Sequence, residues 1–515
     1  MMEEKMNRDI PQIAKEKFSF VQRTDRIHDE RLQTKAVGYL GDAWNRFRTN
    51  KSAVVAFVLI LVLLLFALIV PVISNYTITF RDGYYKTVLP KADIFKNSGF
   101  WDGGKRETQN EAGYLYLKAI GAENGKSAVM REYGSFNDST GAKFYDLRID
   151  SYNSVGYVYV NLSDAEYKAL MEYQDKSGIQ VFYPLAATHN KHFVLGNDGA
   201  NFWYKLENES QGNSGAPLLD ENGHYINNYL FSDDPQKAGY TGSRIAGDGE
   251  NGVWYTYAQK NQTGYKVRVD YDEYFFYKNG FHAAFLFGTN QYGQDILTCL
   301  AVGARFSLIL AICVATINFC LGIIYGSIEG YYGGAVDMIM ERISDILASV
   351  PFMVVATLFQ LHLASKVGPV VSLLFAFIMT GWVGTAARVR TQFYRFKGQE
   401  YVLAARTLGA SDRRIIFKHI FPNSLGTIVT GAVMTIPGVI FSESMLSYLH
   451  IINLDTSSTV TSIGTMLANG NGYLNTFPHI IMFPAIFIAI LEISFNLFGN
   501  GLRDALNPSL RGADN

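Results

Sequence analysis

AVVAFVLILVLLLFALIVPV, residues 53–72, contains no charged or strongly polar side chain. A bilayer's hydrocarbon core is about 30 Å thick, and a helix needs about 20 apolar residues to cross it. The stretch reads as a membrane span, because buried helices of soluble proteins are rarely so long and so uniform. The residues before it are mostly polar, too many and too acidic for the head of a signal peptide. No small-x-small cleavage site follows Val72, so the span reads as a retained anchor.

Five more stretches of similar character follow, at 306–326, 339–362, 369–387, 425–447 and 478–498. The second of these opens with Glu341, Arg342 and Asp345 in its first turn. Six spans place both chain ends on one side, and Lys and Arg near the helix ends choose that side. Arg46, Arg48 and Lys51 precede the first span. Arg388, Arg390, Arg395, Lys397, Arg406, Arg413, Arg414 and Lys418 fill the loop before the fifth, opposed there by Glu400 and Asp412. That loop and both termini are therefore expected in the cytoplasm, in a plasma-membrane protein. The net charge of −1 gives no basis for binding nucleic acid. The three cysteines, Cys299, Cys313 and Cys320, form no CxxC pattern, and residues 75–285 hold none. A disulfide framework is excluded there, and the thiols read as small packing residues.

Residues 75–285 are expected outside the cell. The segment is polar and rich in Tyr, Gly and Asn, with frequent aromatics and no charge blocks, unlike a disordered chain. GYVYVNL (156–162) alternates like a strand, and Ser163 with Glu166 makes a capping box that opens a helix. IQVFYPL (179–185), VWYTYAQ (253–259) and GYKVRVDYD (264–272) add strand candidates, so the segment reads as an α+β domain. Gly247-Asp-Gly249-Glu-Asn-Gly252 matches GxGxxG in letters only, since no strand precedes it and no helix follows, and it reads as a turn. Asp270 and Asp272 begin a calcium-loop pattern whose later ligands and central glycine are missing. No HExxH and no P-loop occurs, and no catalytic constellation can be argued.

The loop between the fourth and fifth spans reads EYVLAARTLGASDRRIIFKHIFPNS from Glu400. Good helix formers run to Leu408, with Leu403, Ala404 and Leu408 at helical spacing. Gly409 then reads as a helix terminator. A second amphipathic helix carries Ile415, Ile416 and Ile420, and Pro422 is expected to end it at the membrane surface. Ala404, Ala405, Gly409 and Ala410 leave a surface that another protein can approach closely. The plainer alternative is a helix pair lying on lipid headgroups.

This loop resembles the coupling loop of ABC importer permeases, whose pattern runs Glu-Ala-Ala, a spacer, Gly, a longer spacer, and a hydrophobic ending before Pro. Ala404, Ala405, Gly409 and Pro422 match it. Leu403 stands where the pattern has Glu, and Phe421 where it usually has Leu. Glu400, one turn earlier on nearly the same face, is the expected substitute for the acidic contact. FGTNQYGQDIL (287–297), the run Gly326, Gly330, Tyr331, Gly333, Gly334 and Asp337, and the tail FNLFGNGLRDALNPSLR (495–511) resemble C-type permease subunits of oligopeptide and dipeptide importers.

The resemblance implies an all-α polytopic membrane protein with six transmembrane helices, the type I ABC importer permease fold, carrying an inserted extracellular α+β domain. The expected organisation is a cytoplasmic segment 1–51, a first helix 52–74, the insertion 75–285, a permease core 286–498 with its coupling loop at 394–424, and a cytoplasmic tail 499–515. It further implies a second, homologous permease, two cytoplasmic ABC ATPases that carry the ATP and Mg, and an extracellular substrate-binding protein. The subunit itself is then non-catalytic and holds no cofactor, and its cargo is a peptide. Related permeases carry nickel and other small solutes, and a membrane-anchored sensor or enzyme is the alternative of another class.

Two further features stand out. Gly322, Gly326 and Gly330 have the small-xxx-small spacing that lets helices pack closely in lipid. They read as a packing seam, within the chain or against a second permease, or as a plain glycine-containing helix end. Glu443 and Glu492 lie within spans, where a charge costs roughly 2.5–3.5 kcal/mol on insertion scales. They are candidates for the translocation path or for interhelix hydrogen bonds.

Overall fold

The computed structural model describes residues 39–96, 98–186, 206–208, 214–217, 219–223, 229–232, 254–452, 454 and 460–506. A short helix α1 (Tyr39–Thr49) leads into α2 (Lys51–Ile73), the first span. Asn50 separates them, and its Oδ1 accepts the Ala53 N–H at 3.2 Å as a helix N-cap. Small residues let α2 lean on the last helix: a Cβ at Gly501 would lie 2.2 Å from the Cβ of Ala53. Phe47, Phe57 and Phe498 close the same junction.

The inserted segment folds as α+β, around two antiparallel sheets. β1 (Gly104–Asn110), β2 (Val129–Asn137) and β3 (Lys143–Asp150) form the first, in the order β1-β3-β2. Helix α3 (Glu111–Asn124) packs on it through Tyr114, stacked on Tyr145 at 4.0 Å. β4 (Tyr157–Leu162), β5 (Phe182–Tyr183), β6 (Ala258–Asn261) and β7 (Gly264–Asp270) form the second, with β7 between β6 and β4. The Ser163–Glu166 capping box is present and opens α4 (Asp164–Ser177). The stretch 179–185 is strand only at its centre: Gln174 Oε1 accepts the N–H groups of both Val181 and Phe182, at 2.8 and 2.9 Å, in place of a longer ladder. The 253–259 stretch is split between strand Trp254–Tyr255 and the start of β6. The GxGxxG look-alike lies outside the described residues.

Arg268, fully buried on β7, ties the two sheets together. It makes a two-pronged contact with Glu123 of α3 at 2.7 and 2.9 Å, donates to the Pro184 carbonyl, and lies 4.1 Å from the Tyr157 ring centroid. Asp270 caps α5 (Tyr271–Asn279), and Asp272 pairs with Lys126 at 2.6 Å, so neither is arranged as a calcium ligand. The described residues contain no cluster of three or more His, Cys, Asp or Glu suited to a metal.

The chain leaves and re-enters the helical part along one seam. Thr289 Oγ1 donates to the Tyr85 carbonyl at 2.7 Å and accepts the Val88 N–H at 3.0 Å. Gly293 has φ +71, and a Cβ there would meet the Asp82 carbonyl oxygen at 2.0 Å, so this turn needs glycine. Asp295 then caps α6 (Ile296–Tyr332) by accepting from the Thr298 N–H and hydroxyl. These contacts are the physical content of the GT-x-x-x-G-x-D run.

Among the described residues, five helices are long and apolar enough to cross a membrane, six if one bent pair counts as a span. They are α2, α6, α9 (Pro369–Lys397), α11 (Asp412–Tyr448) and α12 (His479–Leu506). The expected single span at 339–362 is instead α7 (Gly334–Ala348) and α8 (Phe352–His362), bent by 73°. Pro351 causes the break: it offers no N–H, and its ψ of 127° takes the chain out of the helix. Helix α6 is also longer than the apolar run 306–326 suggested, at 37 residues.

Candidate functional site: the loop after α9 and its seat

The loop opens with α10 (Glu400–Thr407). Gly409, at φ +80, turns the chain, and the N–H groups of Leu408, Gly409 and Ala410 satisfy the carbonyls of Ala404, Arg406 and Ala405 at 3.0 Å each. This is the helix stop expected of a glycine. Nothing lies within 4 Å of a Cβ built at Gly409, so the turn is open on its outer side.

Pro422 does not end the following helix. α11 runs through it without a break, because residues Ile415–Ile420 form a π-turn just before it. A widened i→i+5 turn relieves the demand for the missing proline donor and the clash of its ring with the preceding turn. The loop is thus a short helix followed directly by a span.

The face that packs inward also differs from the spacing argument. Val402, Ile415 and Ile420 are fully buried against Tyr331, Val389, Phe393 and Ile428. Leu403 and Leu408 point away, 48% and 88% exposed, beside Tyr401 and the exposed Glu400 and Ala404. Ala405 and Ala410 are half-buried, and Pro422 is exposed. The apolar residues at helical spacing therefore form the outward surface. Val402, one position away, is the one that anchors.

Polar contacts fix the seat. The Tyr331 hydroxyl at the end of α6 donates to Asp412 Oδ1 at 2.5 Å, and the Arg406 guanidinium lies 5.8 Å from the Tyr331 ring centroid. Arg390 of α9 holds Asp337 at 2.6 and 2.9 Å and Glu341 at 2.8 and 2.9 Å, both on α7. Lys397 Nζ donates to the Gly330 carbonyl at 3.0 Å. Sequence reasoning missed Tyr331, Val402 and this Arg390 cluster. The only signal was that Tyr331 and Asp337 sit in the glycine-rich run after span two.

Gly322, Gly326 and Gly330 form a seam within the chain, against α9. A Cβ on each would meet, respectively, the Thr385 Cβ at 2.6 Å, the Ala386 carbonyl oxygen at 2.3 Å and the Phe393 Cβ at 2.7 Å. Glu443 is fully buried and accepts hydrogen bonds from Ser307 of α6 at 3.0 Å and Ser447 at 2.9 Å, an interhelix arrangement. Glu492 is half-buried on α12, and its Oε1 finds no partner among the described residues. Neither carboxylate belongs to the seat of the loop.

Long apolar helices, a small-residue seam and an exposed loop bolted to the helix ends define a polytopic membrane protein. Residues 318–512 match the family model described as binding-protein-dependent transport system inner membrane component, and residues 38–90 match the N-terminal TM domain of oligopeptide transport permease C. The oligopeptide transport system permease protein OppC of Bacillus subtilis (strain 168) is 42% identical over 225 residues, 44% of this chain and 72% of that protein. The dipeptide transport system permease protein DppC of the same organism is 40% identical over 226 residues, 44% of this chain and 69% of its own length. OppC of Haemophilus influenzae is 40% identical over 233 residues, 45% of this chain and 72% of that protein. Among solved structures, the inward-facing MetNI methionine ABC transporter covers 41% of this chain and 96% of its own at 16% identity, with a TM-score of 0.33. The chain belongs to the binding-protein-dependent transport permease family, as an integral membrane permease subunit of an ABC importer. Neither family model reaches residues 91–317, which carry most of the inserted domain.

Proposed function

We propose that this permease carries oligopeptides or dipeptides, and that separate ATPase subunits grip it at residues 400–423. The observation that carries the docking reading is the outward face of α10. Tyr401, Leu403 and Leu408 stand exposed on a helix whose other face is fixed by Val402 and braced by the Tyr331–Asp412 contact. Exposed apolar side chains on a rigid mount suit the groove of a protein partner. Glu400 supplies the acidic contact absent at Leu403. The names of the relatives support the peptide cargo.

In this reading the loop and both termini are cytoplasmic and the inserted domain is extracellular, where it helps to dock or orient a substrate-binding protein. A second permease and two ATPases complete the assembly. ATP and Mg act on the ATPases, and this chain contributes no catalytic group.

Gly409 provides the test. Gly409→Arg should abolish ATP-coupled peptide uptake while the chain remains in the membrane, because the bulky side chain projects into the docked partner. Gly409→Ala carries the same left-handed backbone strain, about 1–2 kcal/mol, without the bulk, and should keep most uptake. Normal uptake by Gly409→Arg, or equal loss in both variants, would refute docking at this turn. Glu400→Lys should weaken co-purification of the ATPases, and unchanged co-purification would remove Glu400 from the contact.

A further inference from the structure

The stretches 94–96 and 98–101 of the inserted domain carry apolar side chains that the rest of the described chain leaves uncovered. Ile94 is 91% exposed, Phe100 61% and Phe95 41%. Single exposed apolar residues are ordinary, but Phe95 and Phe100 belong to a connected row, and Ile94 stands exposed next to Phe95 in the chain. Phe95 meets Phe100 at 6.0 Å, Phe100 meets Trp101 at 4.9 Å, and Trp101 lies 5.5 Å from Phe483. Phe483 lies within the first turns of α12, a membrane-crossing helix whose apolar run begins at Ile480. An apolar run covers the hydrocarbon with about 20 residues, so Phe483 sits near the boundary of the layer on the side of the inserted domain. Tryptophan is enriched at that depth. The Trp101 indole N–H donates to the Leu286 carbonyl, and its ring bridges the domain and the span.

The loop's backbone supplies an independent argument. Ala92 N–H bonds to the Trp101 carbonyl at 2.9 Å, Phe95 N–H to Ala92 at 2.9 Å, and Ser98 N–H to Phe95 at 3.0 Å. Gly99 N–H bonds to Asp102 Oδ2 at 3.0 Å, Phe100 N–H to Ser98 Oγ at 3.1 Å, and the Ser98 hydroxyl donates to the Phe100 carbonyl at 2.6 Å. Water could satisfy such groups on an ordinary surface loop. In the interfacial layer, where water is scarcer, backbone groups already paired within the loop cost less to bring in. Lys96, exposed in the same stretch, has an apolar stem that can lie along the membrane surface while its ammonium stays in water.

We propose that Ile94, Phe95 and Phe100 insert into the interfacial layer of the bilayer, so that this loop is a lateral lipid anchor of the inserted domain. The domain is then held at two places: at the seam where the chain leaves and re-enters the helices, and at this loop. Its tilt over the permease is thereby fixed by the membrane as well as by protein contacts.

The test uses the full chain in phosphatidylcholine vesicles, with Cys313→Ala and Cys320→Ala removing the exposed thiols and the buried Cys299 left in place. A fluorophore is attached at Ile94→Cys or Phe100→Cys, with Ser139→Cys in the polar turn between β2 and β3 as the aqueous reference. Lipid brominated high in the acyl chain should quench most of the signal at Ile94→Cys and Phe100→Cys, and iodide in the water little of it. Ser139→Cys should show the reverse. Iodide quenching at Ile94→Cys and Phe100→Cys equal to that at Ser139→Cys would overturn the proposal. So would protection from both quenchers, because the cluster would then be covered by protein. Both labelled positions are exposed, so the substitutions leave the core untouched.

Discussion

Replacing Gly326 by alanine adds one methyl group at the closest point between α6 and α9. Its Cβ would stand 2.3 Å from the Ala386 carbonyl oxygen and 2.9 Å from the Ala386 Cα. Backbone cannot swing aside as a side chain can. Ordinary contact begins near 3.5 Å, so the helices must part by about 1 Å, and a gap of that size forfeits a quarter to a half of each dispersion contact it opens. Overpacking of this kind costs about 1–3 kcal/mol. The cost should fall at the upper end here, because Gly322 and Gly330 pack on the same partner one turn away on either side. Gly384→Ala, on α9 itself, is the control. Nothing lies within 4 Å of its added Cβ, and alanine gains up to about 1 kcal/mol of helix propensity over glycine. Thermal unfolding of the purified permease in one detergent should rank Gly326→Ala below the parent and Gly384→Ala at or above it. Gly326→Ala with the stability of Gly384→Ala would refute the close approach, and with it the reading of these glycines as a seam.

Tyr331→Phe removes the hydroxyl that holds Asp412, a charge-assisted bond at a half-exposed site worth about 1–2 kcal/mol. Hydrogen exchange at the Leu408–Ala410 amides should quicken roughly five- to thirty-fold, Asp412→Asn should do less, and unchanged exchange in Tyr331→Phe would show that the contact does not brace the loop. Arg268→Ala leaves Glu123 buried without its cation and should destabilise the inserted domain by about 3–5 kcal/mol, seen as rapid proteolysis between residues 100 and 285 while the spans stay intact; proteolysis at the parent's rate would contradict the tie between the sheets. Burial pushes the Asp270 carboxyl up to about 6, with Lys126 only partly offsetting it, from an ordinary 3.8. Between those values the folded domain holds a proton that the unfolded chain has lost, so its stability falls as pH rises from about 4 to about 6 and then levels, by at most about 3 kcal/mol. Asp272 is lowered, since its burial is outweighed by Lys126 and His282 together, and it acts below that window. Asp270→Asn should flatten the melting temperature of the domain across it, and an unchanged slope would assign the dependence elsewhere.

Much of this architecture was legible because it rests on local chemistry. The capping box at Ser163, the helix stop at Gly409 and the apolar spans each follow from a few neighbouring residues. The errors lie where a distant contact decides. Leu403 and Leu408 fit a helical stripe, but the seat for α10 is built by Tyr331, Val389 and Phe393 from two other helices, and it takes Val402. Pro422 reads as a stop until the π-turn before it is seen. The glycine spacing was visible, but not that its partner is α9. The first sheet was unread altogether: β1 is Gly-Lys-Arg-Glu-Thr-Gln-Asn, with one β-branched residue and no apolar alternation. Such a strand is held by pairing with β3 on its neighbour's terms, and its own composition does not announce it.

The contacts that sequence could not show converge on α6. At one end Asp295 caps the helix in the turn that Thr289 and Gly293 lock against residues 82–88 of the inserted domain's base. At the other, Tyr331 holds Asp412 of the loop after α9, and the Lys397 ammonium caps the Gly330 carbonyl. Between them run 37 residues without an internal proline, a rod of about 55 Å at 1.5 Å per residue. Glycine-mediated contact with α9 stiffens its last third, and the Ser307–Glu443 bond joins its first third to α11. A helix fastened this way cannot shift at the loop after α9 without carrying load to the base of the inserted domain. That is why the domain's own hold on the membrane, at Ile94 and Phe100, bears on the mechanics of the whole permease.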